Sequence, residues 1–158
     1  MPIVWRIATE GKTYSASDMS GTGAAKEGGR WNSVGQPMVY TSSSIALACL
    51  ETLVRIKNSL PLNRYLVSVD IPERVWDVRL QLADPFPVGW DAEPAGLMSS
   101  AFGDDWLAAR SQAIFQVPSV IVPEEFNFLI NPAHPDAGAI SATKIRKWQY
   151  NPRLRNGS

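Results

Sequence analysis

The chain of 158 residues has one cysteine, one histidine and no excess of either charge. A single cysteine excludes an internal disulfide, and one cysteine with one histidine cannot build a thiolate or imidazole metal site. No acidic cluster has the spacing of a calcium loop, so no metal is expected. Fifteen basic residues balance fifteen acidic ones, which removes the long-range field that gathers nucleic acid or an anionic membrane. No apolar run approaches a membrane span, and Met1-Pro2-Ile3-Val4-Trp5-Arg6 lacks the pattern of a signal peptide. A cytoplasmic chain with no membrane contact is the expectation. Repeats, low-complexity tracts and linkers are missing too. Residues 1–158 therefore read as a single domain, with the last few residues a frayed tail.

The scarcity of histidine limits the chemistry. His134 sits in Asn131-Pro132-Ala133-His134-Pro135-Asp136, a turn pinned by two prolines, where a hydrogen-bonded structural role outweighs a catalytic one. Gly11-Lys12-Thr13 ends like a phosphate-binding loop, but Arg6 stands where that motif requires glycine. Cys49 falls on an apolar helical stripe and reads as packing. Metal, thiol and histidine catalysis are all poorly supplied.

What the chain does have is a regular supply of short apolar runs. Ile3, Trp5 and Ile7 alternate against Val4 and Arg6, which predicts an opening strand. Residues 12–26 are small and polar and read as a long surface loop. Met38–Thr41 is a short strand, and Ser42, Ser43 and Ser44 are cap candidates for a helix reaching about Lys57. Two apolar stripes, Ile45/Cys49/Leu53/Ile56 and Leu47/Leu50/Val54, suggest a helix packed on two sides. Its polar line holds Ser44, Glu51 and Arg55, the last two spaced for an i,i+4 ion pair. Arg64–Ile71 alternates and ends at Pro72. Val75–Val78 suggests a further strand, 84–94 an irregular connection, and 105–115 a helix capped by Gly103 or Asp104. Val117–Pro123 reads as a strand bracketed by prolines, Phe126–Ile130 as another, and Lys144–Tyr150 as the last. Short strands with intervening helices make a single compact α+β domain.

One stretch concentrates chemistry-bearing residues. Gly28-Gly29 precedes Arg30-Trp31-Asn32, a short run then carries Tyr40, and the next helix carries Glu51. Glycine backbone freedom would aim Arg30 off a tight turn, and its guanidinium fork suits phosphate or carboxylate. Trp31 follows the turn and could wall a pocket. Such a set fits a reaction that needs placed charge more than proton shuttling. Cleavage of the nicotinamide–ribose bond of NAD is one, because nicotinamide leaves as a neutral molecule and needs no general acid. The residues permit this reaction without compelling it.

Gly-Gly-Arg-Trp-Asn, Val-Tyr-Thr-Ser-Ser, Leu-Glu in the next helix, Val-Pro-Ser-Val-Ile-Val-Pro and Glu-Phe-Asn-Phe-Leu-Ile-Asn-Pro together resemble the RES domain, from Trp5-Arg6-Ile7 to Pro152-Arg153-Leu154. That family is named for an Arg, a Glu and a Ser, and includes bacterial toxins of toxin–antitoxin pairs. The resemblance implies a fold similar to ADP-ribosyltransferases and destruction of NAD with phosphate or water as acceptor. NAD is then a substrate, inorganic phosphate a co-substrate where phosphate rather than water is the acceptor, and no resident cofactor is expected. It implies a cognate helix-turn-helix antitoxin that occludes the active site, with no direct DNA binding by this chain; a homodimer within the complex stays open. Carried over by motif, the catalytic residues are Arg30, Glu51 and Ser119, with Tyr40 a fourth site residue; with Trp31 and Asn32, which adjoin Arg30, the expected substrate-binding residues are Arg30, Tyr40, Trp31 and Asn32. Arg30 would meet the NAD phosphates, Tyr40 the nicotinamide ring, and Glu51 the cationic ribose. Ser119 would bond the ligand or orient Glu51 or Arg30. Two alternatives remain: ADP-ribosyl transfer to a protein side chain, and a non-catalytic partner-binding module.

Overall fold

The computed structural model describes residues 1–155. The C-terminal tail expected to fray lies largely outside the described residues. Seven strands form one mixed sheet: β1 Ile3–Thr9, β2 Val39–Ser42, β3 Arg64–Asp70, β4 Leu80–Gln81, β5 Ile114–Pro118, β6 Phe126–Ile130 and β7 Ser141–Trp148. Their spatial order is β4-β5-β6-β2-β1-β3-β7. All pairings are antiparallel except β4 with β5, which is parallel. Among the described residues four α-helices intervene, α1 Thr22–Glu27, α2 Ile45–Leu53, α3 Glu73–Trp76 and α4 Leu97–Ala109, with short 3-10 turns at Pro135–Ala139 and Pro152–Arg155. The expected α+β class holds.

The two-residue period of the strands divides the core. Val4, Ala8, Val39, Val67, Val69, Ile114, Phe128 and Ile130 face one side, covered by Val75 of α3 and by Ala16 and Ile140. On the other side α2 packs Ala48 and Cys49 against Ile7, Leu66 and Tyr150. Beside it α4 packs Trp106 and Leu107 against Phe115, Val117 and Leu129. The two helices therefore share one face of the sheet. Tyr40 and Ser42 of β2 point to that face, opposite Leu129 and Asn127 of β6.

Several elements depart from the sequence reading. The loop over 12–26 contains the start of α1. Helix α2 stops at Leu53, short of Lys57, because the Thr52 hydroxyl donates back to the Cys49 carbonyl at 2.8 Å and the next turn tightens. Of its second stripe Leu47 is buried, whereas Leu50 is 38% and Val54 65% exposed, so packing on that side is confined to the start of the helix. Residues expected as a strand at 75–78 start as the single turn α3, whose first backbone groups follow Pro72. The helix expected at 105–115 begins at Leu97 and ends at Ala109 with Arg110 left-handed. The following apolar run forms β5 at Ile114–Pro118, so the strand expected over 117–123 comes early and 119–122 is an irregular bend leading into a turn at 123–124. Periodicity cannot separate a fully buried strand from a helix end, and Ile114, Phe115 and Val117 are all buried.

Strand β7 carries a bulge: Leu66 pairs with Arg146 and Val67 with Lys144, leaving Ile145 extra. Lys144 binds the Glu10 carboxylate at 2.8 Å and lies over the Tyr65 ring, and Arg146 lies over Trp148. His134 has the expected structural role, its Nδ1 accepting from the Asp136 amide at 3.0 Å.

Candidate active site

Arg30 is presented by a four-residue turn in which Gly29 and Asn32 exchange backbone hydrogen bonds. Gly28 enters it at φ 73°, a left-handed value that favours glycine. Gly29 is needed for a different reason: a Cβ there would lie 2.6 Å from the Tyr40 hydroxyl. That hydroxyl accepts from the Trp31 amide at 3.1 Å and donates to Asn32 Oδ1 at 2.6 Å. The Asn32 amide nitrogen donates to the carbonyls of Ala24 and Gln36, both at 2.9 Å. Asn32 is 1% exposed with this complement of partners; its role here is to shape the turn, and the substrate contact expected from sequence is not available to it. Trp31 likewise does not wall a pocket. It is buried edge-on to Phe102 and Phe115, because the apolar ring is better accommodated in the aromatic cluster under α4 than beside the arginine.

Tyr40 joins the turn to α2. Its ring lies 5.4 Å from the Arg55 guanidinium carbon, while its hydroxyl holds the turn. Burial pushes the phenol up to about 12, against smaller downward pulls from the Trp31 amide and the arginines Arg55 and Arg30. Arg55 thus stacks on Tyr40, and among the described residues no ion pair links it to Glu51.

The Arg30 fork points toward residues 90–93. Nη1 donates to the carbonyls of Trp90 at 3.0 Å and Ala92 at 2.8 Å, and Nη2 pairs with the Glu93 carboxylate. The Arg30 side chain is 13% exposed and that of Glu93 71%. Neither Glu93 nor its segment stands out in the sequence, beyond an irregular proline-rich connection.

Glu51 is brought to the sheet from α2, whose start is capped by Ser44 accepting from the Leu47 amide at 3.1 Å. The Glu51 Oε2 accepts from Ser119 Oγ at 2.9 Å and from Asn127 Nδ2. Ser119, just past β5 and fully buried, also accepts at Oγ from the amides of Ile121 and Val122, each at 3.1 Å. Amides can only donate, so the single serine proton is left for the carboxylate. Ser119 therefore spends its one proton on Glu51. Asn127, which motif matching did not name, joins this grouping. Its signal was a polar residue between Phe126 and Phe128 in an otherwise apolar strand.

Two groupings result: Glu51 with Ser119 and Asn127 at the Ser42 end of β2, and Arg30 with the Tyr40 turn beside α4. Arg55 lies over the Tyr40 ring of the second grouping. A surface cleft of about 680 Å³ lies elsewhere, lined by Gln36, Leu107, Arg110 and Asn131 near the other end of β2 and β6.

Comparison with known proteins bears on this arrangement. The RES domain model matches residues 3–152. A Sphingobium protein named "Prs ADP-ribosylating toxin" is 57% identical over 95% of this chain and 94% of its own length. A Yersinia enterocolitica protein named "Toxin Res" is 35% identical over 91% of this chain and 95% of its own. Among solved structures, a chain of the M. tuberculosis MbcT–MbcA toxin–antitoxin complex shares the fold, with a TM-score of 0.59 at 17% identity over 91% of this chain and 84% of that one. With a family match across nearly its whole length and full-length relatives well above 30% identity, the chain belongs to the RES domain family.

Proposed function

We propose that this protein is the toxin of a toxin–antitoxin pair and consumes NAD by breaking the nicotinamide–ribose bond. The bond pair leaves with nicotinamide, which departs neutral, and a phosphate or water oxygen attacks the anomeric carbon and gives up its proton to solvent. The observation that carries this reading is the Glu51 carboxylate. Both of its donors hold Oε2, and Oε1 accepts no protein hydrogen bond among the described residues. An oriented carboxylate with one oxygen uncommitted suits a ribose that turns cationic as the bond breaks. Arg30 would bind the pyrophosphate once Glu93 is displaced from its fork, and Tyr40 would bound the nicotinamide ring.

A second reading changes only the acceptor: ADP-ribose passes to a protein side chain. The name of the 57% identical relative, an ADP-ribosylating toxin, favours it specifically. Phosphorus NMR of NAD with the purified protein, with and without inorganic phosphate, separates the two. Free ADP-ribose or its 1″-phosphate identifies the first; label retained on a protein from lysate, with little free product, identifies the second. Glu51→Gln keeps the volume and removes the charge, so nicotinamide release should fall at least about a hundredfold with the fold intact. Release near the wild-type rate would remove the carboxylate from the mechanism.

The partner in this reading is a cognate antitoxin that covers the site. Glu93 on Arg30 demonstrates that a carboxylate fits the fork, and an acidic residue near the antitoxin's C-terminus would take the same position. With no net charge on the chain, operator binding would belong to the antitoxin's helix-turn-helix. An antitoxin trimmed at its C-terminus that still blocks NAD loss fully would refute this.

A further inference from the structure

Glu51 is held by a chain of bonds that reaches beyond the residues in contact with it. A carboxylate only accepts, so Asn127 must turn its amide nitrogen toward Oε2, which sends its Oδ1 the other way. There the Ser42 hydroxyl donates to Oδ1 at 2.8 Å. The pairing of β2 with β6 sets Ser42 directly opposite Asn127, and Ser42 is 4% exposed, so water competes poorly for that bond. A flipped amide would aim a carbonyl at a carboxylate, a contact with no proton in it. The carboxylate thus selects the amide orientation, and the Ser42 bond anchors Oδ1 at the far end, holding the amide where it gives Glu51 its second donor.

We propose that Asn127 is a positioning residue for Glu51 and that Ser42 acts through it, holding the amide in its donating orientation. This rests on the reading of Glu51 given above. Ser119 approaches Oε2 from the bend after β5, whereas Asn127 approaches from β6. Two donors on separate elements fix both the place of Oε2 and the plane of the carboxyl group. Losing Asn127 leaves one donor and a carboxylate free to swing about the Ser119 bond.

The test is steady-state nicotinamide release by Asn127→Ala, Asn127→Asp, Ser42→Ala and the Ser42→Ala/Asn127→Ala double variant, with Glu51→Gln as control and thermal melts of each. Asn127→Asp keeps the shape but sets a second acceptor against Glu51. It should lower kcat at least as far as Asn127→Ala, by about tenfold or more, with KM for NAD within about threefold. Ser42→Ala should lower kcat severalfold alone and add nothing once Asn127 is alanine, a dependence that simple loss of packing would not produce. Wild-type kcat in Asn127→Asp, or an equal Ser42→Ala effect in both backgrounds, overturns the proposal. Should Asn127→Ala fail to fold, the isosteric Asn127→Asp and the one-oxygen Ser42→Ala decide. If Glu51→Gln loses turnover while the Asn127 variants keep it, only the positioning proposal fails; if Glu51→Gln keeps turnover, the Glu51 reading fails first.

Discussion

Substituting Gly103 by alanine tests how the arginine turn is seated. Gly103 lies inside α4, and a Cβ placed there falls 1.7 Å from the Trp31 carbonyl oxygen and 2.7 Å from its carbonyl carbon. Real Cβ contacts essentially stop at 3.0 Å, so helix and turn must separate by 3.0 − 1.7, or 1.3 Å. Both atoms are backbone, and no rotamer change relieves the contact. Alanine in a helix interior is otherwise favoured over glycine by about 1 kcal/mol. Overpacking costs about 1–3 kcal/mol, and a clash with backbone belongs at the top of that range. The net is about 2 kcal/mol of destabilisation, which for a domain of this size lowers Tm by roughly 4–8 °C. Gly23→Ala in α1 is the control, since nothing lies within 4 Å of its Cβ position; propensity alone should raise Tm by about 2–4 °C there. Because Trp31 follows Arg30 directly, Gly103→Ala should also reduce nicotinamide release well below its melting temperature. Circular-dichroism melts of both variants, paired with that assay, check the argument. A Gly103→Ala protein that melts at or above wild type would refute the seating of α4 on the turn.

Arg30→Lys should raise KM for NAD nearly as much as Arg30→Ala, because an ammonium cannot reproduce a two-pronged bond to pyrophosphate; an unchanged KM would take Arg30 off the phosphates. Glu93→Gln removes a charge that competes for the same fork, so KM for NAD should fall severalfold, and a higher KM would mean that Glu93 aids binding. The buried Tyr40 phenol keeps its proton in the native state to about pH 12, against 10 when free. Its contribution is therefore complete below about pH 10 and lost as pH rises toward 12. Tyr40→Phe should melt lower at neutral pH, with the Trp31 amide and Asn32 Oδ1 each short of a partner, yet show a shallower alkaline decline; an equally steep decline would assign the titration elsewhere.

Much of this was legible in the sequence where local signals agreed. Strands β3 and β6 were read nearly to the residue, because alternation ran straight into Pro72 at one and Asn131-Pro132 at the other. Helix α4 was not, since its first half looks like a loop: Ser99 and Ser100 are buried with hydroxyls directed to carbonyls three residues back, and Gly103 exists for a contact some seventy residues distant in sequence. Within the site, Glu51 and Ser119 were named by motif and meet by hydrogen bond. Trp31 and Asn32 were named for adjacency to Arg30, but adjacent residues of a turn point in different directions, and these two point inward. Ser42 was one of three cap candidates with Ser43 and Ser44, and Ser44 fills the role. Which of three serines caps depends on where the strand ends, and that is set by pairing with β6.

The two ends of the sheet carry a consequence for behaviour at high concentration. An open sheet offers two rows of unpaired amides and carbonyls to other chains, the usual seed of fibrils. Here one margin is β4, only two residues long. The other, β7, is eight residues long but bent at Ile145 and studded with Lys144, Arg146 and Lys147. A second copy docking there in register would bring like charges together along a kinked edge. A neutral chain, lacking overall repulsion to keep its copies apart, thus carries its protection against strand-to-strand growth at the one margin long enough to template it.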